Sequence, residues 1–248
     1  DLSIAVVGTR RATPKGKEAA KAFASKLGTA GFAVVSGLAM GIDEAAHQGA
    51  LDGGGKTIAV LGTSLDNIYP KQNQGLAKRI LEKGGAIISE FPWGCDYHPQ
   101  NFLIRNRIIS GLTRATLVIE APEKSGALAT ARFALEQNRE IFVVPGSIGA
   151  QNYKGSHGLI KAGAALVDGP EDILDFFDVK IEGKILELKE TNEDENKILS
   201  VLMENGGELT SDKILEFADI DVGILNKNLA KLTIRGIIKE INGKYSLN

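Results

Sequence analysis

The chain of 248 residues is 43% hydrophobic and 24% charged, enough for one large core and a second smaller one without disulfide staples. A formal net charge of −2 excludes a globally basic nucleic-acid binder, so any anion site has to be assembled locally. A lone cysteine (Cys95), no run near the ~18 apolar residues of a membrane span and no visible signal peptide point to a cytoplasmic protein without membrane contact.

From Ser3 to Phe177, short β-branched runs alternate with helical stretches. The runs are "IAVVG" from Ile4, "FAVVSG" from Phe32, "KTIAVLG" from Lys56, "GAIISE" from Gly85, "ATLVIEA" from Ala115 and "EIFVVPG" from Glu140, with a weaker last one at "AALVDG" from Ala164. They are nearly continuous in hydrophobicity, which predicts strands covered on both faces. Between them, "PKGKEAAKAFASKLG" opens with Pro14 and stops at Gly28, as a helix does. The fold class is therefore α/β, a doubly wound, mostly parallel Rossmann-like sheet over residues 1–178. Chain start at Asp1 rather than Met points to a trimmed N-terminus.

Residues 179–192 are charged and poor in turn chemistry, and read as a linker with some strand character. Residues 193–248 change pattern. "DENKILSVLMENG", "TSDKILEFA" and "DVGILNKNLAKLTIRG" read as three helices, and "IIKEI", "NGK" and "YSL" as a hairpin, together a small winged-helix domain. The third helix carries Lys227, Lys231 and Arg235 in one stripe, which suits a DNA-reading helix and a solvated face on a partner-binding module about equally.

Turns entering the strands are plain, whereas turns leaving them are rich in Gly, Ser, Thr and charge. In open parallel sheets ligands bind outside the carboxyl ends of the strands, so the functional cleft is predicted there. "GTR", "SGLAMG" and "SGALAT" are small-residue turns that open helices, and their exposed N–H groups favour an anion, typically a phosphate. No G-x-x-x-x-G-K-[ST] occurs, and G-x-G-x-x-G is absent after the first strand, which argues against a Walker-type NTPase and against NAD. His47, His98 and His157 lack ligand spacing, so no metal, cofactor or catalytic residue is expected. Asp43 and His47 stand four apart on one helix face; with no nucleophile nearby, they read as a dipole partner and a loop brace rather than an acid/base pair.

Basic and aromatic groups share the same edge: Arg10, Arg11, Lys71, Phe102, Arg105, Arg107, Lys124, Lys154 and Lys161, with Tyr69, Trp93 and Tyr97 close in sequence. Cations interleaved with rings suit a single-stranded nucleic acid. Within "NFLIRNRIISG", Ile104, Ile108, Ile109 and Leu112 recur at the spacing of a buried helix face, while Arg105 and Arg107 lie ~200° apart on the helix. One arginine is therefore expected at the mouth of the cleft near Phe102. The other, Arg107, is expected to pair with a carboxylate such as Glu90 or Glu120.

"VVSGLAMGIDEAAH", "GTSLDNIYP", "ISEFP", "FLIRNRIISGL", "EAPEKSGALATA" and "VPGSIG" followed by "GLIKAGA", in this order, strongly resemble the DNA-processing protein A (DprA, or Smf) family over residues 3–177. The resemblance implies a single-stranded-DNA-binding recombination mediator, without known catalysis, that protects incoming strands in natural transformation, loads RecA recombinase and works as a homodimer. It also assigns nucleic-acid contacts to Gly8, Thr9, Arg10, Ser36, Gly37, Gly41, Lys71, Phe102, Arg105, Asn106, Arg107, Ser125, Gly126, Thr130, Gly146 and Lys161. Two places depart from the family pattern: Leu103 follows Phe102 with the preceding proline at Pro99, and His157–Gly158 replace a small residue and Asn. The family's extra N-terminal helical domain is missing from this sequence, whether by truncation or by nature. A rival reading is a nucleotide phosphoribohydrolase-like enzyme on a related fold, whose "PGGxGTxxE" glutamate would fall at Thr130's turn. Here the acid is delayed to Glu136.

Overall fold

A computed structural model describes residues 2–96, 98–179, 192–205, 208–241 and 243–247. It divides into two compact units, Asp1–Ile181 and Glu182–Asn248. Most of the expected linker, residues 180–191, and Tyr97 lie outside the described residues.

The first unit is a seven-stranded parallel sheet: β1 (Ser3–Val7), β2 (Ala33–Ser36), β3 (Thr57–Leu61), β4 (Ala86–Ser89), β5 (Ala115–Val118), β6 (Glu140–Val143) and β7 (Ala165–Leu166), in the order β4-β3-β2-β1-β5-β6-β7. Every run read from the sequence as a strand is one. Alternate side chains of β1 serve opposite cores, which is why the runs are continuously apolar. Ile4 and Val6 pack with α1 (Pro14–Thr29), α2 (Ile42–Asp52) and α7 (Pro170–Phe176) through Phe23, Leu27, Ala46 and Ile173. Ala5 and Val7 face α4 (Asn101–Gly111) and α5 (Gly126–Glu136) through Ile109, Ala127 and Ala131. Near the β4 edge, α3 (Gln74–Glu82) covers Ala59 and Leu61 with Leu76 and Ile80, and α6 (Lys154–Lys161) follows β6.

β1 pairs with β2 on one side and with β5 on the other. Strand order reverses between β1 and β5, so the turns leaving these two strands flank the topological switch point where such sheets take ligands.

The second unit packs α8 (Glu193–Glu204), α9 (Ser211–Ala218) and α10 (Val222–Ile234) around Ile198, Leu202, Ile214, Leu225, Leu229 and Leu232. A three-stranded antiparallel sheet, β8 (Glu208–Thr210), β9 (Ile238–Ile241) and β10 (Lys244–Leu247), is ordered β8-β10-β9. This is the winged-helix arrangement, with one strand more than the expected hairpin. Asn192 and Glu195 close a capping box at the start of α8, Glu195 N–H donating to Asn192 Oδ1 at 2.8 Å and Asn192 N–H to Glu195 Oε2 at 3.1 Å.

Candidate functional site

Three turns at the carboxyl edge build the site. After β1, the chain turns through Gly8, Thr9 and Arg10; Thr9 N–H donates to the Glu120 carbonyl at 2.7 Å, fastening the turn to the end of β5. After β2, Gly37 is clamped from both sides. Its N–H donates to Asp43 Oδ2 at 3.1 Å, and its carbonyl accepts from Arg105 Nη1 at 2.9 Å. Gly41, at φ 89°, brings α2 so close to the first turn that a Cβ there would lie 2.4 Å from the Thr9 carbonyl oxygen, so only glycine fits. After β5, Ser125 caps α5 by accepting from Ala127 N–H, and Asn106 Nδ2 ties α4 to the Gly126 carbonyl at 3.2 Å.

These turns enclose an open cavity of about 380 Å³. Of the residues expected at the site, Gly8, Thr9, Arg10, Phe102, Arg105, Asn106, Ser125, Gly126 and Thr130 line it, together with Arg11 and Lys124. Gly37 joins Arg10, Tyr69 and Phe102 around a smaller neighbouring cavity. Others lie off the walls of both cavities. Ser36 is buried and donates to the Val6 carbonyl at 2.6 Å, Gly41 serves the turn geometry just described, and Lys71 stands exposed in the 3-10 turn after Pro70. Gly146 packs beneath the Tyr153 ring and Lys161 is exposed at the end of α6.

Phe102, 9% exposed, forms the wall between the two cavities. The Arg10 guanidinium lies 5.2 Å from its ring centroid, that of Arg105 5.9 Å, and the Tyr69 ring 5.6 Å. Two expectations for α4 need correction. Arg105 is not at the mouth: it is 3% exposed and its guanidinium donates to the carbonyls of Gly37 and Val60 and to Asn106 Oδ1, tying together the ends of β2 and β3. Nor do the isoleucines form a buried face. Ile104 and Leu112 are each 45% exposed, while Phe102, Arg105, Asn106 and Ile109 point inward. The helix turns its hydrogen-bonding side to the cleft because the strand-end carbonyls there need donors. Arg107 pairs with Glu90, as expected, from a half-exposed position.

Electrostatics follow the burial. Burial pushes the Asp43 carboxyl above its ordinary value, and Arg105 pulls against that shift. The same burial, with Arg105 nearby, lowers His47 to about 3, so its imidazole is neutral and its Nδ1 braces Thr57 Oγ1 at 2.7 Å. Arg105 itself is lowered to about 10 by desolvation, with Asp43 opposing, and stays charged at neutral pH. By contrast, Arg10, Arg11, Lys71 and Lys124 are exposed and make no ion pair among the described residues, which leaves four cations for an external anion. Among the described residues no group of three or more His, Cys, Asp or Glu could hold a metal ion, and no helix is long and apolar enough to cross a membrane. Sequence reasoning missed Asn152, which donates to the Arg11 carbonyl at 3.0 Å and to Glu120 Oε2 at 3.1 Å. An asparagine in a loop carries no periodic or motif signal that could have singled it out.

The family model for DNA recombination-mediator protein A matches residues 1–178. The chain belongs to this family. Protein Smf of Escherichia coli is 49% identical over 174 residues, which are 70% of this chain and 46% of Smf. The X-ray structure of DNA processing protein A from Streptococcus pneumoniae superposes with a TM-score of 0.65 at 42% identity, covering 70% of this chain and 61% of that one. A structure of DNA processing protein A from Helicobacter pylori, described by its single-stranded DNA binding mode, superposes with a TM-score of 0.66 at 31% identity and covers 72% of this chain and 82% of that one. The chain thus spans about half the length of Smf and under two thirds of the pneumococcal protein. The family model's match covers the Rossmann-like unit that carries the cleft.

Proposed function

We propose that the Rossmann-like unit binds single-stranded DNA and that the chain works as a recombination mediator in natural transformation, protecting incoming strands and loading RecA recombinase as a homodimer. The observation that carries the DNA reading is the composition of the switch-point cleft. Three exposed cations that make no ion pair among the described residues, Arg10, Arg11 and Lys124, line it beside the Phe102 wall and the N-terminus of α5, and Lys71 stands exposed in the turn after Pro70. Phosphates go to Arg10, Arg11, Lys71 and Lys124 and to the amides of the Gly8 and Ser125 turns, and bases stack toward Phe102 and Tyr69. The DprA of H. pylori, described by its single-stranded DNA binding mode, supports single-stranded DNA as the ligand.

This is a binding protein rather than an enzyme. Glu136, where a phosphoribohydrolase reading would look for its acid, is the exposed last residue of α5, two turns beyond Thr130 on the cleft wall. Fluorescence anisotropy with an oligo-dT strand, competed by duplex and by mononucleotide, tests the proposal. Sequence-tolerant binding that duplex and mononucleotide fail to displace is expected. Free base released from a mononucleotide would contradict it.

A further inference from the structure

Glu120 follows β5 at the switch point and is 0% exposed, yet among the described residues it has no Lys, Arg or His as a hydrogen-bond or ion-pair partner. Its carboxylate instead collects neutral donors from two other segments. Thr13, the cap of α1, gives both its N–H, at 3.0 Å to Oε2, and its hydroxyl, to Oε1. Asn152 gives its side-chain N–H to Oε2 at 3.1 Å. A Cβ at Gly16 would fall 2.4 Å from the carboxyl carbon, so the first turn of α1 rests directly on this group.

The N-terminus of the helix after β1 is the place where sheets of this type seat a phosphate, because its N–H groups and dipole favour an anion. In this chain that seat is already filled from within. We infer that Glu120 is a built-in anion that occupies the α1 seat and, with Asn152, sets the Thr9–Thr13 turn so that Arg10 and Arg11 project into the cleft. Asn152 makes the connection explicit, since the same side-chain nitrogen that meets Glu120 also holds the Arg11 carbonyl. Burial, and then Glu120, raise the Tyr153 phenol to about 12. The consequence for ligand placement is that strand phosphates are left to the Gly8 and Ser125 turns and to the exposed cations rather than to the N-terminus of α1.

The inference rests on the single-stranded DNA reading, and its sign separates it from plain electrostatics. Removing a negative charge beside a phosphate site should tighten binding if charge alone matters. If Glu120 positions the turn, it should weaken binding. Glu120→Gln keeps the shape but offers an N–H₂ where donors need an acceptor. Anisotropy with oligo-dT over a salt series should then show binding about tenfold weaker with the salt slope kept, because the cations remain but their placement is lost. Amide exchange at Thr13 should accelerate in the same variant while core amides such as Val6 stay protected. Equal or tighter binding, or unchanged exchange at Thr13, would overturn the inference. Should Glu120→Gln fail to fold, Asn152→Ala, on a partly exposed turn, should give a smaller loss in the same direction, and no loss would count against it. Failure of the wild-type protein to bind oligo-dT would refute the DNA reading alone, since Thr13 exchange still reports on the turn.

Discussion

Arg10 and Arg105 both stand near the Phe102 ring, yet only Arg10 is available to an external anion. This division of labour predicts different responses to substitution. Arg10→Ala should weaken strand binding and flatten the dependence on log salt by about one unit, the mark of a lost phosphate contact. Arg105→Lys should leave the slope alone and cost about 1–3 kcal/mol in a denaturant titration, because a single ammonium cannot both replace Nη1 between the Gly37 and Val60 carbonyls and supply the Nε–H bond to Asn106 Oδ1. A slope change in Arg105→Lys would place its charge on the strand after all. His47 supplies a pH prediction. Its folded value of about 3 lies below the ordinary 6.5, so the unfolded chain binds the extra proton between these values and stability falls as pH drops from 6.5. Asp43, raised above 3.8, works with the opposite sign: its contribution is present below 3.8 and lost as pH rises through its folded value. Comparing wild type with His47→Gln isolates the histidine. Thermal melts from pH 7 to 5 should decline less steeply in the variant, and parallel curves would contradict the buried neutral imidazole. At this scale the sequence revealed which residue types gather at the cleft but not which of them face it, since exposure depends on distant partners such as the Gly37 carbonyl for Arg105.

The seven strands and α1 were legible because their signals are local: continuous β-branched runs, Pro14 at a helix start, Gly28 near its end. Helix α4 was not, because periodicity assumes that apolar residues turn inward. At the switch point the inner neighbours are strand-end carbonyls, and Arg105 and Asn106 win that face while Ile104 and Leu112 are left half out. Ile104→Ser should therefore shift stability by no more than about 0.5 kcal/mol, whereas Ile109→Ala, at 1% exposure, should cost about 2–5 kcal/mol. Equal costs in denaturant titrations would restore the amphipathic reading. Strand β8 escaped notice for a different reason: three residues are too few to show alternation, and its pairing with β10 is made across two intervening helices.

For the whole molecule, the Rossmann-like unit carries the cleft, while the winged-helix unit has its own core. On α10, Lys227 and Lys231 are exposed, but Arg235 pairs with the buried Glu195, so the basic stripe read from the sequence is partly spent on internal structure. The net charge of −2 means that attraction to a nucleic acid cannot come from the molecule at large. It has to come from the cluster at the switch point. The direct test is the affinity of wild type and Arg10→Ala for an oligo-dT strand across a salt series. The account predicts sequence-tolerant binding that weakens steeply with salt, and a variant both weaker and shallower in slope by about one unit. Identical affinity and slope in the two proteins would contradict the placement of the strand in this cleft.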